Sequence, residues 1–498
     1  MTATTRRQFL HRAGALAGTA ALLRGRAPAR AQPRAAARAA GGELGFEPAV
    51  ELVAKLRSKE IGSEELTRHF IARIERYDEK LNAVVVRDFE RALAAARAAD
   101  AALARGETLG PLHGLPMTIK ESFDLAGLPT TWGHPDAART KASADAVVVE
   151  RLKRAGAHFL GKTNVPRDLA DFQSFNEVYG TTDNPWDPDR TPGGSSGGAA
   201  AALAAGLTAL EVGSDIGGSI RNPAHYCGVY GHKPTLGVVP TRGHQPPGVP
   251  ALPQDPDLAV VGPLARSADD LALALEVIAG PDVLQAPGWR LELPPPRRAS
   301  LRGLRVALWP DDPAAPVAQE VADRVVEVGE RLAGLGATVS ETARPAFSGQ
   351  QSHELYMPLL QATMAGPGAE LPFGEWVMLN GRRTSVRTQW QQFFRDWDVL
   401  LCPIGTTPAF PQDEGPRESR TLEVDGEARP YFEQIFWAGL ATLSYLPSTV
   451  FPTGLSEQGL PIGLQAIGAE LDDRTTIELA RLLAREIGGF HPPPGFDG

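Results

Sequence analysis

From residue 48 onward the chain switches between two spacings of hydrophobic residues. Pro48 to Glu60 and Ser63 to Tyr77 repeat apolar positions every three or four residues, which predicts two amphipathic helices, the second opened by Ser63, Glu64 and Glu65. Phe89 to Arg105 continues as an alanine-rich third helix. The spacing then changes. GLPMTIK, Gly114 to Lys120, is a short apolar run ending in a charge, so it predicts a buried strand whose last residue emerges at a sheet edge or cleft.

The alternation persists downstream. Helices are expected over Ala144 to Ala155 with Ser143 as cap, Gly197 to Gly206, Ala268 to Ala279 with Ser267 as cap, Val317 to Leu335, and Arg474 to Ile487. Strands are expected at AHFLG, TALEVG, RVALWP, ATVSE, DVLLCP and LPIGLQAIG. Short strands between helices indicate an α/β layered fold with a largely buried sheet. There is no sequence repeat and no pattern for a second core, so 45–498 reads as a single large layered domain. Two segments stand apart: 345–395 carries Tyr356, Met357, Phe373, Trp376, Trp390, Phe393 and Phe394, a pattern that suits a cap over a pocket as well as ordinary packing, and 407–430 is a polar, proline-containing loop.

Composition changes the picture mainly at the N-terminus. Over 498 residues the chain is 43% hydrophobic and 22% charged, an ordinary globular balance. The net charge of −9, without a long basic run, argues against a nucleic-acid partner. The first residues differ: Arg6 and Arg7 precede Phe9 and Leu10, an apolar run spans Ala13 to Leu23, and Ala29, Arg30 and Ala31 form an A-x-A site. This is the layout of a twin-arginine signal peptide over 1–31, followed by a spacer over 32–44, and it predicts a periplasmic or secreted protein without stable membrane insertion. Two cysteines, Cys227 and Cys402, are too few for a disulfide framework and are expected to be buried thiols.

Three motifs compete for the chemistry. Gly156 to Thr163 satisfies G-x-x-x-x-G-K-[ST], the phosphate loop of nucleotide hydrolases, yet its variable positions Ala157, His158, Phe159 and Leu160 look like the strand itself and Pro166 follows closely. Gly193 to Gly197 satisfies G-x-S-x-G, the nucleophile elbow, which would make Ser195 the nucleophile of an α/β-hydrolase-type esterase. A proline- and aspartate-rich loop precedes it instead of a strand, and no downstream acid and histidine stand out. No metal-ligand spacing is present, and no cofactor or metal is expected. The third constellation joins Lys120 at the end of its strand, Ser195 in TPGGSSGG, and Ser219 after Asp215, Ile216, Gly217 and Gly218. A lysine taken out of water loses the stabilisation of its charge and can act as a base near neutrality, which a serine nucleophile requires.

The stretches GPLHGLPMTIKE, TPGGSSGG and GSDIGGSIRNPAHYCGVYGHKPT resemble, in order and spacing, those of the amidase signature hydrolases, and the resemblance runs from about Glu47 to the C-terminal strand region. The 75 residues from Lys120 to Ser195 and the 24 from Ser195 to Ser219 match the intervals of that family. The resemblance implies a central mixed β-sheet covered by helices on both faces. It also implies Ser219 as the acyl-accepting nucleophile, Ser195 as a bridging serine after a cis bond from Gly194, and Lys120 as the base. The backbone N–H groups of Ile216, Gly217, Gly218 and Ser219 would form the oxyanion hole. Asp215 and Arg221 would hold the nucleophile loop, and Ser196 would sit beside the lysine as a hydrogen-bonding neighbour. One departure is visible: the family's strand commonly passes from the lysine into aspartate, whereas here Glu121 and Ser122 follow.

The expected reaction is hydrolysis of a carboxylic amide C–N bond, with esters or carbamates as further substrates, by a monomer or homodimer acting on a small molecule. Leu169 and the cap aromatics are expected to line an apolar pocket that favours bulky uncharged substrates. The readings from other classes are the Ser195 esterase, the phosphate-loop nucleotide hydrolase, and a catalytically inactive binding relative.

Overall fold

The structure is a computed structural model and describes residues 44–496. The signal peptide expected over 1–31 and the spacer up to residue 43 lie outside the described residues. An eight-stranded mixed sheet forms the centre. Its strands lie side by side in the order Thr338–Ser340, Arg305–Leu308, Val399–Cys402, Pro461–Ile467, Ser448–Leu455, Tyr230–Lys233, Val260–Ala265 and Glu211–Asp215. The first three run parallel and every later pairing is antiparallel. A smaller sheet orders Val84–Arg87, His158–Thr163 and Pro116–Lys120, the last two parallel with Lys120 opposite Thr163.

Side-chain alternation along one strand shows that both faces of the large sheet are covered. Val399 and Leu401 fall in one hydrophobic core with Val325, Leu332, Ile477 and Leu483, from the helices Gln319–Gly334 and Asp473–Ile487. Leu400 and Cys402 fall in another, with Tyr356, Trp390 and Trp437 from the helices Gly349–Ala365, Phe373–Asp396 and Ile435–Thr442. Since strand side chains alternate sides, a strand that feeds two cores must have helices on both sides. This is the layered α/β architecture with a central mixed sheet. No helix among the described residues is long and apolar enough to cross a membrane.

Several elements form without an apolar signature. Tyr230–Lys233 reads YGHK and is nevertheless fully buried, with His232 bonded to Thr449 and Asp473. Ser448–Leu455 contains Pro452, and Val260–Ala265 contains Gly262 and Pro263, so both carry residues that ordinarily argue against interior strands. The helix expected from Ala144 begins at Val147 instead. Asp145 is drawn off to accept the Ala126 N–H at 2.8 Å, and the Val147 N–H donates to the Arg242 carbonyl, so the preceding turn belongs to a loop and Ser143 caps nothing. Ser267 does cap its helix, with Oγ accepting the Asp270 N–H at 3.1 Å. Cys227 and Cys402 are buried and unbridged.

The two sheets meet where the small sheet abuts the edge strand Glu211–Asp215. The Thr118 N–H donates to Thr208 Oγ1 at 2.9 Å, and Lys120 reaches Ser214. That junction places the end of one buried strand against the start of the loop that follows another. Replacing Ser267 by alanine should lower stability by about 1 kcal/mol, read as a shift of the urea midpoint, because the helix loses its N-terminal acceptor.

Candidate active site

Every residue of the strand Pro116–Lys120 is buried, and Lys120 itself has no exposed surface. Its Nζ donates to Ser195 Oγ at 2.7 Å, to Ser214 Oγ at 3.0 Å, and to the Ser214 carbonyl at 3.5 Å. Loss of hydration pushes the amine down from its usual value to about 7, against the opposing pull of Asp215 and Glu211. Ser214, which the sequence pattern did not single out, is thus the lysine's second hydroxyl partner. Ser196 is not: its Oγ turns to the Ser214 carbonyl at 3.5 Å, while its N–H donates to the Ser219 carbonyl at 3.0 Å.

The glycine loop that carries Ser195 is held from several sides. The Gly194–Ser195 peptide bond is cis. Ser174 Oγ donates to the Gly193 carbonyl at 2.9 Å and accepts the Gly197 N–H at 3.1 Å. A side chain at Gly194 would run into the carbonyl oxygens of Asp171 and Gln173, which is the packing reason for glycine there.

The loop bearing Ser219 is organised by a buried ion pair. Arg221 donates to Asp215 through Nε at 3.0 Å and Nη2 at 2.9 Å, and neither side chain has any exposed surface. Burial alone would raise the Asp215 carboxyl, but Arg221 outweighs it and holds the group at about 2. Asp215 also accepts the N–H groups of Gly218 at 2.9 Å and Ile220 at 3.1 Å, so the loop wraps around a carboxylate. Arg221 continues to Gln465 Oε1 at 3.0 Å and Thr442 Oγ1 at 2.9 Å, fixing the loop to the central sheet and a core helix. Tyr356 donates its hydroxyl to the Ile216 carbonyl at 2.6 Å.

These bonds sort the four expected oxyanion donors. The Gly218 N–H is taken by Asp215, whereas those of Ile216, Gly217 and Ser219 have no acceptor among the described residues. Three donors therefore remain, and the fourth serves to shape the loop.

Ser195, Ser214, Ser219, Ile216 and Leu169 line one cavity of about 490 Å³. Trp132, Pro246, Val249, Leu252 and Met364 add an apolar wall, and Asp168 and Gln254 are among its polar members. Leu169 reaches the wall because it and Asp168 both take left-handed backbone angles, φ 56° and 58°. Of the segment 345–395, Thr363 and Met364 reach the cavity, while Tyr356, Trp390, Phe393 and Phe394 are core residues. Glu121, the departure from the family pattern, accepts the N–H groups of Thr131 at 2.6 Å and Trp132 at 3.1 Å, and so sets the Trp132 wall. The side chains of Ser195 and Ser219 share the cavity without a hydrogen bond to each other.

The competing motifs resolve here. Lys162 of the phosphate-loop match lies inside the strand His158–Thr163, fully buried, with Nζ bonded to the Pro129 carbonyl and Thr130 Oγ1, so no loop exists to cradle a phosphate. Ser195 of the elbow match follows a loop, not a strand, and its hydroxyl meets a lysine, not a histidine.

Known proteins resemble this chain over most of its length. The family model described as Amidase matches residues 65–365 and 375–477. The chain is 34% identical over 473 residues to indoleacetamide hydrolase of Bradyrhizobium diazoefficiens, covering 88% of this chain and 86% of that protein. It is 35% identical over 481 residues to a glutamyl-tRNA(Gln) amidotransferase subunit of Moorella thermoacetica, covering 87% and 95%. Among solved structures, a bacterial aryl acylamidase of the amidase signature family superposes with a TM-score of 0.75 at 26% identity, over 88% of this chain and 96% of that one.

Replacing Arg221 by methionine should destabilise the protein by about 3–5 kcal/mol, measured by denaturant unfolding, because Asp215 would be left as an uncompensated buried charge.

Proposed function

The chain belongs to the amidase family, and from that premise we propose that it hydrolyses the C–N bond of a small carboxylic amide through an acyl-enzyme on Ser219, with Ser195 as proton relay and Lys120 as base. The observation that carries this reading is the contact of Lys120 Nζ with Ser195 Oγ at 2.7 Å inside a fully desolvated pocket, on the wall of the cavity that also holds Ser219. A neutral amine accepts the proton along that same contact.

The step balances without a further reactant. Substrate entering the cavity brings the Ser219 hydroxyl against Ser195, since catalytic hydrogen bonds often tighten only once substrate is bound. Ser219 Oγ bonds to the amide carbonyl carbon as its proton passes to Ser195 and the Ser195 proton to Lys120. The carbonyl oxygen gains negative charge facing the N–H groups of Ile216, Gly217 and Ser219; such a donor typically contributes about 3 kcal/mol in the transition state. The C–N bond then breaks, the relayed proton leaves with the amine, and water repeats the sequence to release the acid. Asp215, held ionised by Arg221, stabilises the lysine while it carries the proton.

The wall formed by Trp132, Leu169, Ile216, Val249 and Met364 favours a bulky uncharged amide, ester or carbamate over a small charged one. On this reading the protein works without a partner of another kind, as a monomer or homodimer. The Arg6 and Arg7 pair with its apolar run and A-x-A site supports export of the folded enzyme by the twin-arginine route to the periplasm or beyond.

Three outcomes follow for the enzyme. A fluorophosphonate should label Ser219, as mapped by peptide mass spectrometry, and Ser219→Ala should lose the label and at least about a thousandfold in kcat/KM. Because the active form is the neutral amine, kcat/KM should rise as pH climbs through about 7 and fall below it, and Lys120→Ala should remove that limb together with most of the rate. Lysines in place of Arg6 and Arg7 should leave the unprocessed precursor inside the cell, as seen by fractionation.

A further inference from the structure

Of the nine non-glycine residues with left-handed backbone angles among the described residues, three line the same cavity: Trp132, Asp168 and Leu169. Aspartate tolerates that conformation, whereas a residue as bulky as tryptophan keeps it only where its surroundings impose it. At Trp132, with φ 51°, they do. Its N–H donates to Glu121 Oε2 at 3.1 Å, its carbonyl accepts the Asp168 N–H at 3.0 Å, and its Nε1–H donates to the Ser122 carbonyl at 3.1 Å. Glu121 is fully buried and is itself fixed by the Thr131 N–H at 2.6 Å and the Tyr179 hydroxyl at 3.0 Å. Gly133 lets the two loops close on each other, since a side chain there would run into the Arg167 backbone and Asn176.

Every polar group of Trp132 is thus committed, two of them to the residues that directly follow Lys120 in the chain. The half-buried indole therefore lines the cavity in one fixed orientation. It meets His244, another lining residue, with ring centroids 5.1 Å apart and planes tilted by 45°, and Phe123 backs His244 at 4.7 Å. Burial and the neighbouring Lys120 keep the imidazole uncharged.

We propose that Trp132 is a specificity-determining residue that selects amides carrying a planar aromatic ring, which stacks on the indole while its edge meets His244. The inference rests on the reading of this cavity as the amide site and names its substrate class. Aromatic pairs prefer offset-stacked or edge-to-face contacts, and two neutral rings set at an angle offer both to a third ring. A saturated ring of the same size gains burial but not these contacts. An indole already held by three hydrogen bonds also loses little rotamer freedom when the guest arrives. Aromatic faces attract cations as well, but Leu169, Pro246, Val249 and Leu252 would take water from such a guest, and the Asp168 carboxylate is already bonded to His134 at 2.6 Å.

The test uses three fluorophosphonates with a common linker, tipped with phenyl, cyclohexyl or trimethylammonium. Their second-order rates of labelling at Ser219 are compared, with the labelled peptide identified in each case. In the wild type the phenyl probe should outpace the cyclohexyl probe by about threefold or more. Trp132→Leu should bring that ratio to about one, and Trp132→Phe should keep it at about two or above. A general loss of structure or of serine reactivity slows both probes alike, so the ratio reports the ring contact. A wild-type ratio of about one or below, or a Trp132→Leu ratio equal to that of wild type with Ser219 still labelled, overturns the assignment and leaves the reading of the site intact. A trimethylammonium probe that labels faster than the phenyl probe overturns the substrate class. A wild type that neither labels at Ser219 nor cleaves amides overturns both readings. If Trp132→Leu does not fold, Trp132→Met must show the same loss of ratio; failure of both to fold assigns Trp132 to the scaffold and overturns the proposal.

Discussion

A lysine amine with no access to water governs the arrangement of this molecule. Burying a charged ammonium is unfavourable, and the chain offsets that cost by surrounding Lys120 with hydroxyl oxygens from Ser195 and Ser214 instead of a direct carboxylate contact. A carboxylate at hydrogen-bonding distance would have held the proton on the lysine. Hydroxyl partners satisfy the amine while leaving its charge poorly supported, which suits a base. Asp215, ionised and committed to Arg221, acts on the lysine only through space.

The two-sheet architecture serves that placement. A small parallel pair delivers Lys120 from one side, and the edge strand of the large sheet delivers Ser214 and Asp215 from the other. The Ser219 loop then folds around Asp215, and Arg221 ties that carboxylate to Gln465 and Thr442. The backbone shape needed for an oxyanion site is therefore held by buried polar bonds that reach well into the core. Tyr356 extends the same logic by holding the Ile216 carbonyl from the helix Gly349–Ala365.

Much of this was legible in the residues alone. The short apolar run ending at Lys120 and the two glycine-flanked serines carry their chemistry in residue type and spacing, and the fold brings Ser195 and Ser219 to one cavity with Lys120 bonded behind Ser195. Ser214 was not legible, because a polar residue at an ordinary strand position looks the same whether it faces solvent or a buried amine. The strands Tyr230–Lys233 and Ser448–Leu455 were hidden for a related reason: histidine, lysine and proline mask an interior position, and His232 is satisfied there by a partner as distant in the chain as Asp473. The aromatic residues of 345–395 went the other way. Their spacing suited a cap, yet Trp390, Phe393 and Phe394 pack together as core, and Met364 is the larger of the two side chains that segment brings to the cavity wall. Gly218 shows the limit of motif reading, since its place in the motif does not reveal that its N–H is engaged by Asp215.

The mechanism depends on the protonation of one side chain, and that can be observed directly. Enzyme carrying lysine labelled with carbon-13 at Cε, with the Lys120 signal assigned by its absence in Lys120→Ala, would be titrated by NMR. A desolvated base should titrate with a midpoint near 7, well below the ordinary lysine range. A Lys120 signal that remains that of a charged ammonium until pH rises above about 9 would contradict the mechanism, because the amine would then be unable to accept the serine proton under neutral conditions.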